Sequence, residues 1–495
     1  MYELYVCILF ASSTFLLWIH LKRVGRRGPL PPSPKSDPLI GNLRVMSKVL
    51  DEPKAYRDWG LELGNQKGDI VSITLPGKVI IILNSQDAID ELLVKRSSIY
   101  SDRPYIPMVS SENLVGWGHS TGSIRYGERW RFQRKLTYEA FQKTANDARR
   151  SLIETQTYLA LQRILAKPSE FAQEIRRMAG STMLTAVYGY EITSEDDSLF
   201  QTVETAVQGF SQALIVRNYL VNTIPWLEYI PEWFPGATWK AKANEWRRQR
   251  DLMLHVPFQW TKVRMSTGAA PPSMLSSLLT KYMHQESDLP IDELEDCIRW
   301  SCGAIFAAGI TPIVSSIRVF IMAMAMHPEI QIKAQAEIDG TIAVPHACTQ
   351  DDSYKGYYIP KGAIVIGNSW AISNNPAIYP DPDRFDPDRF LDPSVPDAPA
   401  FGYGRRVCPG VHHADAAMFM AMASLLSVFD IRPPVDEEGR LIPLKAEVAM
   451  DEAVRQADPA AFIIAPNSFY VGYYVPLSAG LLQGLKNTNK SFKNQ

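Results

Sequence analysis

The sequence predicts a mainly α-helical protein with small β-sheets. Apolar residues recur with helical periodicity through most of 87–282, and 291–326 reads as one very long helix whose centre is apolar on most faces. Two β-branched runs, at 70–75 and 79–83, flank Pro76-Gly77, which is typical of a β-hairpin. We therefore expect a helical body with a hairpin near its N-terminal end.

The later part of the chain adds short elements. Strand signals return at 356–359 and 363–366, and a proline-rich coil spans 379–399. Another apolar helix is expected from Val411 to about Val428. These short elements agree with the expected fold class, which is mainly α-helical with small β-sheets.

Composition limits the kind of protein. The 495 residues are 46% hydrophobic, which is enough for a large core, and no linker or repeat divides them, so one large domain is expected. The formal net charge of −2 argues against nucleic acid as a partner, because that role needs a strongly basic surface. The five cysteines are scattered without a Cys-x-x-Cys pair, which disfavours disulfides and structural zinc and indicates a reducing compartment.

The N-terminus predicts a membrane anchor. Residues 4–21 are apolar apart from a few hydroxyls and His20, and four basic residues follow within 22–27. A helix of this length, at about 1.5 Å per residue, just crosses a bilayer core. The basic flank predicts a single-pass anchor over 1–27, with the rest of the chain in the cytosol at the endoplasmic reticulum. A cleaved signal peptide is disfavoured because no basic residues precede the apolar run. The proline-rich stretch 28–44 is expected to be a stiff hinge.

A second segment bears on the membrane. Tyr219–Pro235 contains Trp226, Tyr229, Trp233 and Phe234 and is broken by prolines. Two interpretations stay open. The segment either dips into the bilayer beside the anchor and admits a lipophilic substrate, or it is a loop packed on the core.

The most informative segment is Phe401-Gly402-Tyr403-Gly404-Arg405-Arg406-Val407-Cys408-Pro409-Gly410. A lone cysteine thiolate can bind haem iron and favour O–O cleavage. Gly404 permits a tight turn, and Gly410 lets the backbone pass close to a flat macrocycle. Arg406 can neutralise a haem propionate. At every fixed position the segment resembles the haem loop of the cytochrome P450 family, Phe-x-x-Gly-x-Arg-x-Cys-x-Gly.

This resemblance implies a cytochrome P450-like fold, with a haem-thiolate catalytic domain over 45–467 and haem b as cofactor. Trp130 and Arg134 resemble the family's propionate-binding pair, and His346 lies where several members place a propionate ligand. The implied cofactor-binding residues are Cys408, Arg406, Trp130, Arg134, His346, Phe401 and Gly410, with Cys408 as the metal ligand. The implied reaction is hydroxylation of a lipophilic secondary metabolite of a fungus. It would use O2 and electrons from NADPH–cytochrome P450 reductase.

The long helix departs from the family pattern. The family has Ala-Gly-x-Asp/Glu-Thr-Thr where this chain has Ala308-Gly309-Ile310-Thr311-Pro312-Ile313. Thr311 takes the position of the acid and Pro312 that of the alcohol. Proline has neither a hydroxyl nor an N–H, and it opens the helical hydrogen-bond ladder. Thr311 is therefore the candidate proton relay, and the use of peroxide in place of O2 stays open.

A second departure follows Gly340. The chain passes directly to Thr341, without the few dozen residues, including a helix with Glu-x-x-Arg, that the family has there. Arg389 would then lack the Glu–Arg pair that it normally joins. An inactive haem-binding relative and an incomplete gene model both explain this departure. The tail at 468–495 does not resemble the family's closing strands.

An unrelated motif supports another function class. Gly118-His119-Ser120-Thr121-Gly122 matches the Gly-x-Ser-x-Gly nucleophile elbow of serine hydrolases. That elbow needs a strand before it and a helix after it, and the flanking residues are too broken for either. A serine hydrolase is therefore disfavoured.

Overall fold

The computed structural model describes residues 28–49, 51–63, 68–192, 194, 197–215, 218–283, 289–327, 344–382, 384–433, 440 and 463–466. The predicted anchor at 1–27, the departure near 340 and the tail at 468–495 lie outside these residues. The described chain divides into two compact units. A sheet unit comprises 28–104, 344–384 and 395–407, and a helical unit comprises 105–327, 385–394 and the residues from 408 onward. The domain bounds 45–467 stay a prediction.

The described elements confirm a mainly helical protein with small sheets. The helices are α1 (Leu43–Met46), α2 (Glu52–Leu63), α3 (Gln86–Ile89), α4 (Ser97–Tyr100), α5 (Pro107–Ser110), α6 (Glu128–Phe141), α7 (Lys143–Asp147), α8 (Arg150–Ala166), α9 (Phe171–Tyr188), α10 (Ser198–Leu214), α11 (Thr238–Ser266), α12 (Met274–Tyr282), α13 (Ile291–Met326), α14 (Ser369–Ser373) and α15 (Val411–Val428). The strands are β1 (Ile70–Leu75), β2 (Lys78–Leu83), β3 (His346–Ala347), β4 (Asp352–Tyr354), β5 (Tyr357–Ile359), β6 (Ile364–Gly367), β7 (Phe429–Arg432) and β8 (Ile463–Pro466).

The main sheet of the sheet unit has the strand order β1-β2-β6-β3. β1 and β2 form the predicted antiparallel hairpin, and Gly77, with φ +73°, supplies the left-handed residue of its turn. β6 pairs parallel with β2, so that Ile81 lies opposite Val365, and β3 pairs antiparallel with β6. Both of these side chains are fully buried, and their apolar face fixes the register.

The proline-rich segment lies against this sheet. Ser72 of β1 donates from its N–H to the Pro32 carbonyl and from its hydroxyl to the Pro31 carbonyl. The Tyr358 N–H of β5 donates to the Pro29 carbonyl. The first described residues are therefore held by backbone hydrogen bonds to the sheet unit.

Helix α13 is the centre of the helical unit. Its 36 residues have the bounds that the sequence predicts, and it packs against α6, α9 and α15. Its side chains Ile298, Phe306 and Ile321 are fully buried. Pro312 lies inside the helix without ending it. The neighbouring helices explain why the centre of α13 is apolar on most faces.

Two of the described helices, α13 and α15, are long and apolar enough to cross a membrane by length and composition alone. Half of the most apolar stretch of α13 is buried within the protein. A core helix of a large domain has the same character, so these two helices are weak evidence for membrane association.

Candidate functional site

Cys408 lies in the helical unit, just before α15 begins. It is half-buried, whereas the other cysteines within the described residues are buried. Burial raises the pKa of the Cys408 thiol, while a hydrogen bond from the Gly410 N–H and the charge of Arg134 lower it. Metals bind the deprotonated sulfur. The Gly410 amide and the Arg134 guanidinium therefore both favour the thiolate, which is the form of Cys408 that binds a metal.

Arg134 faces the same sulfur from α6. Trp130 and Arg134 are four residues apart and so share one face of that helix, and the Trp130 side chain is buried. Burial lowers the pKa of Arg134, and the charge of Cys408 opposes this shift. Among the described residues, no carboxylate lies within ion-pair distance of the Arg134 guanidinium. A half-buried cation without a carboxylate fits an anionic group of a bound cofactor.

The residues beside Cys408 hold the start of α15. A Cβ added at Gly410 would meet only the Cys408 sulfur, at 3.9 Å, so this side of the backbone is open for a flat group. The Asn146 side-chain amide donates to the His412 carbonyl, and the Asn146 oxygen lies 3.2 Å from Nδ1 of buried His413. The His413 side chain and the His412 backbone carbonyl therefore help to hold the helix start through Asn146.

The turn before Cys408 belongs to the sheet unit. Gly402 and Gly404 have φ values of +77° and +56°, in the left-handed region that favours glycine. A Cβ at Gly404 would lie 2.0 Å from the Leu93 carbonyl oxygen. Position 404 therefore requires glycine both for its left-handed backbone and for its close approach to Leu93. Phe401, where the predicted loop begins, is half-buried.

Two predicted cofactor-binding residues, Arg406 and His346, come together in the sheet unit. Arg406 is buried and donates from Nε to the Ser101 carbonyl at 2.8 Å. His346 is buried, with Nδ1 2.7 Å from the Tyr100 carbonyl oxygen. The charge of Arg406 contributes to the lowered pKa of His346, which shows that the two side chains are close.

Sequence reasoning missed a third member of this cluster, Arg103. Its guanidinium is buried and donates to the carbonyls of Val344 and Pro345. The stretch Asp102-Arg103-Pro104 has no helical or strand periodicity. Arg103 could have been found only from its contacts with residues more than 200 positions later in the chain. The cluster brings two arginines together inside the protein. Burial lowers the pKa of Arg103, and the charge of the buried Asp102 beside it raises that pKa. Two cations with one carboxylate still fit a second carboxylate such as a propionate.

His346 is neutral in this setting. Burial and then the charge of Arg103 lower its pKa to about 3. The Tyr100 carbonyl can only accept a hydrogen bond, so Nδ1 carries the proton and donates to it. The Nε2 atom then accepts hydrogen bonds. His346 would thus contact a bound carboxylate through Nε2 only after a second proton is added.

Thr311 lies on an open face of α13. Ala308, Thr311 and Pro312 are exposed in the middle of this helix, although Ile310 and Ile313 beside them are buried. The helical unit thus joins Trp130, Arg134, Cys408 and Gly410 in one group, and it presents Thr311 separately on α13.

The motif Gly118–Gly122 lies in turns, not between a strand and a helix, so the structure gives no nucleophile elbow.

Arg389 has contacts without the Glu-x-x-Arg segment. It is half-buried in the helical unit, and its Nε donates to the Asp386 carbonyl at 3.1 Å. Asp386 caps the turn Pro387–Leu391, so the Arg389 guanidinium finds a hydrogen-bond acceptor next to its own turn.

Comparison with known proteins agrees with this site. The family model described as cytochrome P450 matches residues 31–344 and 340–455. The cytochrome P450 monooxygenase COX2 of Coprinopsis cinerea is 36% identical over 457 residues, covering 84% of this chain and 85% of that protein. The tryptamine 4-monooxygenase of Psilocybe cyanescens is 35% identical, with coverage of 87% and 92%. The cytochrome P450 monooxygenase claR of Ampulloclitocybe clavipes is 35% identical, with coverage of 84% and 83%.

The family match covers the described residues of both units between 31 and 455, including the loop that carries Cys408. Members of this family bind haem through a cysteine thiolate, and the half-buried thiol, the unpaired cation and the open backbone at Gly410 fit such a group. The chain belongs to the cytochrome P450 family of monooxygenases, which are oxidoreductases.

Proposed function

We propose that the protein hydroxylates a lipophilic secondary metabolite. One oxygen atom of O2 enters a C–H bond of the substrate, and the other leaves as water after two electrons and two protons are consumed. The electrons come from NADPH–cytochrome P450 reductase. The observation that carries this proposal is Cys408, whose thiol lies beside a hydrogen-bonding amide and an arginine. The named activities of the fungal relatives support it.

The cofactor that we propose is haem b, and the thiolate of Cys408 would hold its iron. When bound, this group supplies O2 binding and O–O cleavage, which the thiolate favours by donating electron density. The contribution of the chain is to keep the ligand deprotonated. The Gly410 amide and the Arg134 charge do this against the burial that raises the pKa of Cys408.

The propionates of the haem are proposed to contact the cationic side chains. Trp130 and Arg134 on α6 would hold one carboxylate, as a hydrogen-bond donor and an ion-pair donor. Arg406 and His346 are proposed ligands as well, and Arg103 adds its charge beside His346. Because these arginines are buried or half-buried, each contact with a carboxylate would be stronger than one in water.

We also propose that the protein works at a membrane. The anchor predicted at 1–27 would attach it, with the catalytic domain in the cytosol at the endoplasmic reticulum. The aromatic segment 219–235 favours a second contact, because Trp226, Tyr229 and Trp233 are 64%, 73% and 80% exposed. Tryptophan and tyrosine prefer the membrane–water interface. Lys240 of α11 donates to the carbonyls of Glu228 and Ile230 and fixes this segment.

The surface of α6 supports the proposed electron donor. Arg125, Arg131 and Lys135 are exposed on or just before the helix that carries Trp130 and Arg134. A group of exposed cations raises the rate of encounter with a protein of opposite charge, and the effect falls with salt. We therefore expect electron transfer from the reductase to slow as ionic strength rises.

A carbon monoxide difference spectrum tests the core of the proposal. The reduced full-length protein should show the red-shifted Soret band of a thiolate-ligated haem, and Cys408→Ser should lose it. Cys348→Ser is the matched control, because this buried thiol donates to the Gln350 carbonyl and a serine hydroxyl can do the same. Persistence of the band in Cys408→Ser would overturn the ligand assignment.

Turnover then separates the remaining alternatives. Product formation with NADPH and the reductase supports the monooxygenase. Product formation with peroxide alone would replace it by a peroxide-using enzyme, and a haem-thiolate spectrum without any turnover would identify an inactive relative.

A further inference from the structure

The backbone stretch 99–102 offers four consecutive carbonyls to the part of the sheet unit that holds two predicted cofactor-binding residues. Each of the four carbonyls accepts a hydrogen bond from a residue more than 200 positions later in the chain. The donors, in order along 99–102, are the N–H and hydroxyl of Thr349, Nδ1 of His346, Nε of Arg406 and the N–H of Ala347. The placement of His346 and Arg406 therefore depends on where this short stretch lies.

Tyr100 fixes the stretch through its side chain. The ring is fully buried, and its hydroxyl donates to the Asp352 carboxylate at 2.8 Å. Burial, and then the neighbouring Cys348 and Asp352, raise the pKa of Tyr100, so the hydroxyl keeps its proton and acts as the donor. Tyr100 is thus tied at two points, by its hydroxyl to Asp352 and by its carbonyl to His346.

Asp352 is held in turn by Arg96. The Nη1 atom of Arg96 donates to both carboxylate oxygens of Asp352, at 3.0 and 2.9 Å, and to the Ser353 carbonyl at 2.7 Å. Its Nε and Nη2 atoms donate to Glu91 at 3.0 and 2.9 Å. A carboxylate whose orientation is already fixed is the better anchor for a tyrosine hydroxyl, because less side-chain freedom is lost when the bond forms.

We propose that Tyr100 and Asp352 are positioning residues for the carboxylates of the bound cofactor. The bond between the Tyr100 hydroxyl and the Asp352 carboxylate sets the stretch 99–102, whose carbonyls then orient His346 and Arg406. Tyr100 and Asp352 act through these two side chains and do not contact the cofactor themselves. The inference rests on the proposed function, in which His346 and Arg406 hold a propionate.

An arginine that is already oriented binds a carboxylate at a lower cost than a free one. Arg406 and its acceptor Ser101 are both buried, so the orientation of the guanidinium depends on this contact. If the stretch 99–102 could shift, Arg406 would have to be ordered when the cofactor binds, which costs side-chain entropy. The cofactor should then leave faster. Its reduction potential should also fall, because a cation close to the propionates stabilises the added electron.

The variant Tyr100→Phe tests the link, because phenylalanine keeps the buried ring and removes only the hydroxyl. Haem loss from the full-length holoprotein can be followed by its transfer to apomyoglobin. We expect Tyr100→Phe to lose haem about tenfold faster than the parent and to have a lower reduction potential, since a hydrogen bond to a charged group contributes about this factor.

Two variants of Asp352 test the other end of the same bond. Asp352→Asn keeps an oxygen that accepts from the Tyr100 hydroxyl, so its haem loss should stay within about twofold of the parent. Asp352→Ala removes the acceptor and should lose haem at least as fast as Tyr100→Phe. An Asp352→Ala protein that retains haem like the parent would overturn the proposal.

Tyr56→Phe is the matched control. The Tyr56 ring is also buried in the sheet unit, and its hydroxyl donates to the Glu52 carboxylate at 2.9 Å. This bond closes within α2 and does not touch the stretch 99–102. Both tyrosine variants should lower the urea midpoint of the holoprotein by a similar amount, whereas only Tyr100→Phe should speed haem loss and lower the reduction potential. Equal haem loss and equal potentials in the two variants would show a purely structural role and overturn the proposal.

High-resolution structures of the full-length variants separate this inference from the proposed function. In Tyr100→Phe, the Ser101 carbonyl and the Arg406 side chain should shift together relative to the parent, and in Tyr56→Phe both should stay in place. An unshifted Arg406 in Tyr100→Phe would overturn the inference even if the protein binds haem and turns over. A parent that takes up no haem would contradict the proposed function, yet the same structures would still decide whether Tyr100 sets the place of Arg406.

Discussion

The Arg134 guanidinium lowers the pKa of the Cys408 thiol across the gap between α6 and the start of α15. The relationship is mutual, since the charge of the sulfur favours the protonated form of Arg134 against its own burial. One arginine thus acts on the metal ligand and is also the proposed partner of a propionate.

Replacing Arg134 should therefore weaken haem binding and the thiolate form together. For Arg134→Leu we expect an apparent haem affinity lower by about tenfold or more, because a charge-assisted hydrogen bond contributes about 1.5–3 kcal/mol. A larger share of the remaining haem should show the Soret band of a neutral thiol. Arg131→Leu, three residues earlier and exposed on the same helix, is the control and should keep both properties. Equal behaviour of the two variants would contradict the role of Arg134.

Replacing Gly404 should destabilise the loop before Cys408. In Gly404→Ala the new Cβ would meet the Leu93 carbonyl at 2.0 Å in a left-handed backbone conformation. We expect a loss of at least about 2 kcal/mol of unfolding free energy, together with weaker haem retention, measured by denaturant unfolding and by haem content. Gly122→Ala is the control, since a Cβ there meets nothing within 4 Å. A stable Gly404→Ala protein with full haem content would show that the turn can move.

The buried His346 predicts a loss of stability in acid. Its pKa is about 3 in the folded protein against 6.5 as the ordinary value, so the unfolded chain binds a proton that the folded chain does not. Stability should fall as pH decreases from 6.5 toward 3, by up to about 1.4 kcal/mol per pH unit from this residue. His346→Asn, which can still donate to the Tyr100 carbonyl, should remove this part of the slope in urea unfolding of the haem-free protein.

A second histidine and the cofactor provide the controls for that measurement. Burial and then Arg149 lower the pKa of His413 to about 4, so His413→Asn should remove a separate part of the slope. Haem should reduce the His346 part, because a propionate beside Arg103 and Arg406 would raise the pKa of His346. A slope that haem leaves unchanged in the parent would argue against a propionate at this cluster.

Membrane binding should depend on two separate segments. Deleting 1–27 should give a more soluble protein that still binds haem, because the anchor and the haem loop share no chemistry. The truncated protein should retain weak binding to liposomes, and Trp226→Ser or Trp233→Ser should each reduce it by about tenfold, since a buried large side chain contributes about 1.5–3 kcal/mol. Val263→Ser, an exposed apolar residue on α11, should have no effect. Liposome binding that ignores both tryptophans would favour a purely structural role for this segment.

Local patterns predicted those parts of the fold that depend on neighbours in the sequence. The bounds of α13 and α15 follow from apolar periodicity, and the β1–β2 hairpin follows from β-branched runs around Pro76-Gly77. Arg103 was missed because its burial depends on carbonyls about 240 positions later in the chain. His346 was predicted near a propionate, but its neutral form depends on Arg103 and on the Tyr100 carbonyl, which no local pattern reveals.

The parallel pairing of β2 with β6 sets a limit on how early the sheet unit can form. Leu83 and Ile364 belong to neighbouring strands, although about 280 residues separate them. At the usual pace of synthesis, about 5–20 residues per second, β2 must wait on the order of 15–55 s before its partner leaves the ribosome. During that interval the hairpin presents an unpaired β-branched edge, which is a template for wrong pairing with other chains. The nascent sheet unit is thus the part of this protein that should depend most on chaperones.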